Sequence, residues 1–240
     1  MMAVNRRCAI VAALVFMAAG LAACGDNEPE QRKAFIAYLQ DINQRPTMRF
    51  PRPKPEEEKA FGNYMRYYTI IADFNKDMNT AVADYDKRLK NLGADMTSQA
   101  RSFEQMVDRR QYMPAVKDET AKFVQTLEAH VAKANTERNA LQQPDDLKKI
   151  YNAVFDKLIT VPAMAMVNSN KALIEITDSS MRLVDYYVEH RTKITVSGFQ
   201  FRATDAKTVS EINALLKGHQ DVYKHFQDTQ REGDRMVNGK

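Results

Sequence analysis

From Phe61 to Leu92 the apolar residues Phe61, Met65, Tyr68, Ile71, Phe74, Met78, Val82, Tyr85, Leu89 and Leu92 recur at steps of three or four. An α-helix turns once per 3.6 residues, so this spacing places all of them on one face. A stripe of this length cannot be hidden by its own helix; it demands other helices of comparable length beside it. Pro55 and Glu56-Glu57-Glu58 open the segment. Proline suits a first turn, and acids suit the positive end of the helix dipole. Gly93 offers a stop. Tyr, Phe and Met at this spacing read as core rather than as a cofactor box.

The rest of the chain supplies partners. A short helix is expected around Phe103, Met106 and Val107, and a second long one opens at Pro114 with Val116, Phe123, Leu127, Val131, Ala134 and Leu141. Gln142-Gln143-Pro144-Asp145-Asp146 reads as a turn into a third helix carrying Leu147, Ile150, Val154, Leu158 and Val161. Pro162 is expected to break or kink that helix, with a fourth running over about 163–190 through Val167, Leu173, Ile174, Met181, Val184 and Val188. The β-branched and aromatic residues of 193–202, around Ser197-Gly198, predict a small hairpin. Thr204 or Asp205 then caps a last helix with Val209, Ile212, Leu215, Val222 and Phe226. With only 8 Gly and 8 Pro in 240 residues, the expected class is all-α: an antiparallel bundle of long helices with a small β-hairpin near residues 193–202.

The N-terminus has a different character. Residues 1–7 carry Arg6 and Arg7, and residues 8–23 carry no charge. Sixteen helical residues span roughly 24 Å, short of the ~30 Å hydrocarbon core, which suits a signal-peptide core better than a permanent span. The run ends in Leu21-Ala22-Ala23-Cys24, which matches the lipobox of bacterial lipoproteins. The expectation is a leader cut after Ala23 and a lipid-bearing Cys24, the protein held to the membrane through its acyl chains. An ordinary secretory leader cut near Ala23 and an uncleaved anchor are the alternatives. Gly25, where an aspartate would retain a Gram-negative lipoprotein in the inner membrane, points to a periplasm-facing place on the outer membrane. The cysteines are Cys8, inside the leader, and Cys24, so the mature chain would hold no free thiol, as suits an oxidising compartment. Without Arg6 and Arg7, 33 basic side chains face 31 acidic ones, a balance that gives no footing for nucleic acid.

Three regions follow: a signal peptide over 1–23, a lipid-anchored helix and Pro-rich basic linker over 24–55, and a helical bundle over 56–240. In the second, Asn27, Pro29 and Glu30 mark a helix start, and Phe35, Ile36, Leu39 and Ile42 share one face of a helix over about 28–43. That face either lies on lipid headgroups or docks on the bundle, and docking is the expectation. Residues 45–55 hold four prolines and the cations Arg45, Arg49, Arg52 and Lys54. This is an extended spacer, read as a linker packed along the domain in preference to a basic arm on headgroups or cell wall.

Glu30-Gln31-Arg32-Lys33-Ala34-Phe35-Ile36 after the lipobox, Phe61-Gly62-x-Tyr64, Asp145-Asp146-Leu147-Lys148 and Gly198-Phe199-Gln200-Phe201 resemble YiaF-like bacterial lipoproteins, a domain-of-unknown-function family. The resemblance covers essentially the whole mature chain. It implies a Gram-negative envelope lipoprotein and transfers no catalytic residue.

Catalytic signatures are sparse. His130, His190, His219 and His225 each lack a Glu three positions earlier, and no His-Glu-x-x-His motif occurs. All four read as surface or partly packed histidines, and His219 and His225, six apart, fall on different helix faces. No nucleophile elbow, phosphate loop or dinucleotide fingerprint is present. Glu56–Glu58 and Asp145-Asp146 stand at helix starts, where the dipole accounts for them. Met164 and Met166, beside Pro162, read as gap-fillers at a kink, with a pliable contact surface as the alternative. The expected function is therefore non-enzymatic: a lipid-anchored helical protein with Cys24 as its lipidation site, no catalytic, cofactor or metal residues, and an envelope protein as partner or a role in envelope integrity. Binding of a small molecule or lipid between helices is the alternative, and an enzyme acting on cell wall or lipid comes last.

Overall fold

The computed structural model describes residues 27–46, 50–92, 100 and 102–238. Cys24, the leader, Arg49 and Gly93 lie outside these residues. Helix α1 spans Glu28–Gln44 with Pro29 in its first turn; the Asn27 side chain makes no capping bond, and the turn is closed by the Gln31 N–H on the Asn27 carbonyl at 3.0 Å. Helix α2 spans Pro55–Phe61, α3 Met65–Asn91, α4 Phe103–Arg109, α5 Met113–Asn139, α6 Asp145–Phe155 and α7 Val161–Glu189. Strands β1 (Ile194–Ser197) and β2 (Gln200–Ala203) pair antiparallel, and α8 (Ala206–Asn238) ends the fold. The chain is mostly helical, with its long helices antiparallel and a two-stranded hairpin where 193–202 predicts one.

Two boundaries differ from the sequence reading. The segment 55–92 is not one helix. Gly62 adopts φ +49°, and a 3₁₀ turn, Gly62–Tyr64, separates α2 from α3. The positive φ calls for glycine here, and a Cβ would displace the flexible end of the Gln31 side chain of α1. The re-phased helix buries Tyr64, Tyr67, Ile70 and Ala81, while Met65, Tyr68, Val82 and Leu89 are only partly covered. Pro162 does not end a helix either: Asp145–Glu189 is one continuous rod of 45 residues. A π-helical turn, Asp156–Thr160, directly precedes α7, whose second residue is Pro162. The Val161 N–H closes this wider turn on the Asp156 carbonyl, and Pro162, which has no N–H to give Leu158, follows directly after it.

Each long helix runs against the next. Lys133 pairs with Asp77 at 3.0 Å and Arg88 with Glu119 at 2.7 Å between α3 and α5. Lys171 meets Glu128, and Lys117 meets Asp178, both at 2.7 Å, between α5 and α7. Between α7 and α8, Tyr186 donates to Glu211 at 2.7 Å and Gly233 passes over Ala165 and Ser169. The packing order is α3–α5–α7–α8, so α8 lies at the edge of the array on α7.

Two cores result. The larger holds Phe35, Phe61, Tyr67, Leu127, Tyr151, Phe155 and Ile159. Helix α1 is docked there by fully buried Phe35, Leu39 and Ile42. It runs parallel to α6, with Arg32 near Asp146 at 3.5 Å and Lys157 Nζ meeting the carbonyls of Ile42 and Asn43 at 3.2 and 2.9 Å. A cation on the last carbonyls of a helix matches the negative end of its dipole. The described part of the Pro-rich segment also packs on the domain: Phe50 stacks on Tyr68 at 4.7 Å, and Pro53 is buried. The smaller core, at the opposite end, holds Phe103, Met106, Met113, Leu183, Val184, Ile194 and Ile212.

Candidate functional site: a groove between the last helix and the hairpin end

Local chemistry fixes the hairpin end. Ser197 pairs with Gln200, leaving Gly198-Phe199 as a two-residue turn with Gly198 at φ +65°. Glycine at the first central position of such a turn matches the strand twist. The Gly198 carbonyl accepts from the Phe103 N–H at 3.0 Å, and the Phe103 ring lies 4.7 Å from Phe201 and 5.1 Å from Tyr187, so α4 is pinned to the hairpin. Ser102 caps α4 through Gln105 N. Asp205, not Thr204, caps α8: its Oδ1 accepts from Thr208 N at 2.9 Å. That backbone bond, with the Thr208 hydroxyl and Lys193 behind it, holds the Asp205 carboxyl below its ordinary range.

Because α8 rests on α7 and the hairpin, an open groove of about 450 Å³ is left between α8 and the α4–α5 corner. Met106 and Met113 line one wall, and His219, Gln220 and Tyr223 the other. Ile176 and Ser180 of α7 form the floor; Ala100, Arg109 and Phe199 complete the lining. Phe199, at the hairpin tip, is 52% exposed, so an aromatic ring stands at the mouth in contact with solvent.

His219 is the polar centre of this groove. Its Nδ1 lies 2.8 Å from Ser179 Oγ, and Ser179 Oγ donates to the Ile176 carbonyl at 3.0 Å. Serine has one hydroxyl proton, and both the Ile176 carbonyl and Nδ1 of His219 lie within its reach. Burial lowers the His219 pKa, keeping the ring neutral.

The other histidines do not converge on the groove. His130 lies 3.8 Å from Asp77, beside Lys133; His190 stacks on Tyr186 at 4.2 Å; His225 lies 3.9 Å from Glu175. Among the described residues no group of three or more His, Cys, Asp or Glu is placed to hold a metal. Met166 packs on the larger core, and Met164 is exposed. A second, polar hollow of about 210 Å³ lies toward the opposite end, lined by Arg138, Asn139, Leu141, Gln143, Lys148 and Asn152. Sequence reading left His219 as a partly packed histidine and did not find the groove. The available signal was its phase: Ile212, His219 and Phe226 are seven apart, so the imidazole rides the apolar stripe of α8.

A family model described as "Protein of unknown function (DUF3053)" matches residues 11–233. The chain belongs to the DUF3053 family. It is 28% identical over 206 residues to the uncharacterized protein YiaF of Escherichia coli (strain K12), with 85% of each chain covered. The YiaF proteins of Escherichia coli O157:H7 and Shigella flexneri give the same figures. No solved structure matches the chain. The groove is thus a feature of a DUF3053 member described on its own geometry.

Proposed function

We propose that this chain is a lipid-tethered envelope protein that faces the periplasm and works by binding rather than by catalysis, with the outer membrane as its place. One observation carries the reading. Three residues, Gly25 to Asn27, separate Cys24 from α1, and α1 is locked into the larger core by Phe35, Leu39 and Ile42. Four chain steps reach at most about 14 Å. A lipid on Cys24 would therefore hold the α1 end of the array close to the bilayer. The rod from Asp145 to Glu189, apolar enough in part for a span, buries Val154, Phe155, Leu158, Ile159 and Val167 inside the fold, which supports reading it as core.

The groove favours one further reading: the ligand is a small apolar molecule or lipid held between helices. About 450 Å³ falls in the ordinary range of small-ligand sites. No carboxylate is among the described residues that line the groove, which favours binding over acid–base chemistry on cell wall or lipid.

The anchor is tested by the intact mass of protein extracted from membranes, with and without Cys24→Ser. The expected mass is that of residues 24–240 plus acyl chains, lost in the variant. Retention of Met1, or an unmodified sulfur at position 24, overturns the envelope assignment. Cross-linking in intact envelopes should recover a specific partner from the tethered protein and not from Cys24→Ser. No specific partner, with the groove also empty, removes the binding reading.

A further inference from the structure

We infer that the polar hollow beside the α5–α6 turn binds the headgroup of an anionic phospholipid, with its phosphate on Lys148 and Arg138 and a headgroup hydroxyl on the side-chain amide of Gln143. The site rests on the Cys24 anchor proposed above and adds a second contact with the same bilayer.

Two cations, Arg138 and Lys148, and three amides, Asn139, Gln143 and Asn152, line this hollow of about 210 Å³. No carboxylate is among the described residues that line it. The acids beside it are engaged. Asp156 lies 3.6 Å from Arg138 and accepts from the Thr160 hydroxyl at 3.0 Å. Asp146 lies 3.5 Å from Arg32 and accepts from the Leu147 N–H at 2.9 Å. Lys148 is exposed and pairs with no carboxylate among the described residues, so its charge is the surplus that an anion meets. A buried amide makes a second demand. Gln143 Oε1 is shut off from solvent and has no hydrogen-bond partner among the described residues, a state that buried polar groups rarely keep. Nε2 of the same amide donates one long bond, 3.5 Å, to the Arg138 carbonyl. A hydroxyl both donates and accepts, so it completes this amide in either orientation. A bare anion would answer the cations and leave the amide oxygen alone; a phosphate ester that carries a hydroxyl answers both. The place in the fold selects a lipid over a soluble ester. Arg32, in the second turn of α1, meets Asp146, two residues before Lys148. The hollow therefore stands at the end of the array that a lipid on Cys24 would hold at the bilayer, where a basic pocket meets anionic headgroups.

The test uses the membrane-extracted chain with its own anchor, placed in phosphatidylcholine nanodiscs. These carry a minor share of phosphatidylglycerol or of phosphatidylmethanol, which has the same charge and no hydroxyl. Native mass spectra count the lipid that each chain retains, and the side-chain amide signal of Gln143 in ¹⁵N-labelled protein reports where it sits. One phosphatidylglycerol per chain should be retained and should move the Gln143 signal, while phosphatidylmethanol should be held at least about tenfold more weakly. That comparison is made on the unaltered chain and needs no variant to fold. Gln143→Leu should bring phosphatidylglycerol down to the level of phosphatidylmethanol, and Lys148→Glu, at an exposed position, should weaken both. Water-soluble glycerophosphoglycerol at equal concentration should not displace the lipid. If neither anionic lipid is retained above phosphatidylcholine, or if Lys148→Glu leaves retention unchanged, the headgroup site is overturned. Equal retention of the two anionic lipids means that water satisfies Gln143, and overturns the hydroxyl contact. Displacement by glycerophosphoglycerol assigns the hollow to a soluble ester and overturns the bilayer as its source. The same spectra weigh the acyl chains on Cys24, so failure of the anchor is read apart from failure of the headgroup site.

Discussion

Tyr151 and Tyr67 are joined twice: their rings meet edge to face at 5.4 Å, and the Tyr151 hydroxyl donates to the Tyr67 carbonyl at 2.9 Å. Tyr67 in turn donates its hydroxyl to the Gln142 carbonyl at 2.6 Å. The start of α3, the turn before α6 and the rod are thereby held in one register. Burial pushes the Tyr151 hydroxyl well above the ordinary tyrosine range, so it stays a donor. Tyr151→Phe should cost about 1 kcal/mol, the net worth of one buried hydrogen bond. Tyr151→Ala should cost ~3–5 kcal/mol through the cavity it leaves. Urea unfolding monitored by circular dichroism separates the two. Equal losses would show that the ring contributes nothing beyond its hydroxyl.

Helix α1 belongs to the folded core, and Phe35 is its anchor. The ring touches Phe61 at 5.3 Å and Tyr64 and Tyr67 at 6.0 Å each. Phe35→Ala should destabilise by ~3–5 kcal/mol and open residues 28–54 to protease before the long helices are cut. Unchanged stability and unchanged proteolysis would mean that α1 is not held as described.

Gly62 is constrained in two ways, and they can be separated. Gly62→Ala meets the cost of a positive φ outside the left-handed helical region, about 1–3 kcal/mol, and displaces the flexible end of Gln31. Gln31→Ala should relieve the second and not the first, so the double variant should be less destabilised than the sum of the singles. Gln31 Oε1 accepts from Asn63 N at 3.2 Å, so Gln31→Ala alone should show a small loss. Strict additivity in thermal melts would exclude the close approach.

His219 adds an acid sensitivity of its own. It is faced by Ile176, Ser179 and Ser180 of α7, by Met106 and Arg109 of α4, by Met113 of α5, and by Gln220 and Tyr223 of its own helix. Burial keeps its pKa below the ordinary 6.5. The unfolded chain therefore binds the proton more readily, and the native state is favoured most above about pH 6.5. This part of the stability falls as pH drops from there through the depressed folded value, and is flat below it. Subtracting the stability–pH curve of His219→Phe removes the carboxylates common to both chains. The difference should decline across that window; a level difference between pH 7 and 5 would mean that the ring is charged or exposed in the native state.

Much of the fold was legible because it is local. The stripe over α3, the β-branched and aromatic run of 193–202 around Gly198, and the alternatives Thr204 or Asp205 for the last cap are short-range patterns, and each led to an element where expected. The misses share a cause. Nothing near Gly62 shows that Gln31, on another helix, fills the space a Cβ would need. Nothing near Pro162 shows that a π-helical turn precedes it and that the helix runs on through it. His130 and His219 look alike in sequence. Only the partner helix decides that one sits beside Asp77 and Lys133 while the other pairs with Ser179 at the wall of an apolar groove.

By itself the sequence determined an all-α chain of long antiparallel helices with one hairpin, because hydrophobic period and turn residues act over a few positions. The tertiary structure alone decided that α1 is part of the core, that α8 lies at the edge of the array, and that a groove with a neutral imidazole opens beside it. Those outcomes depend on which surfaces meet. That is set by contacts between residues as far apart as Ser179 and His219, whose pairing no local spacing encodes.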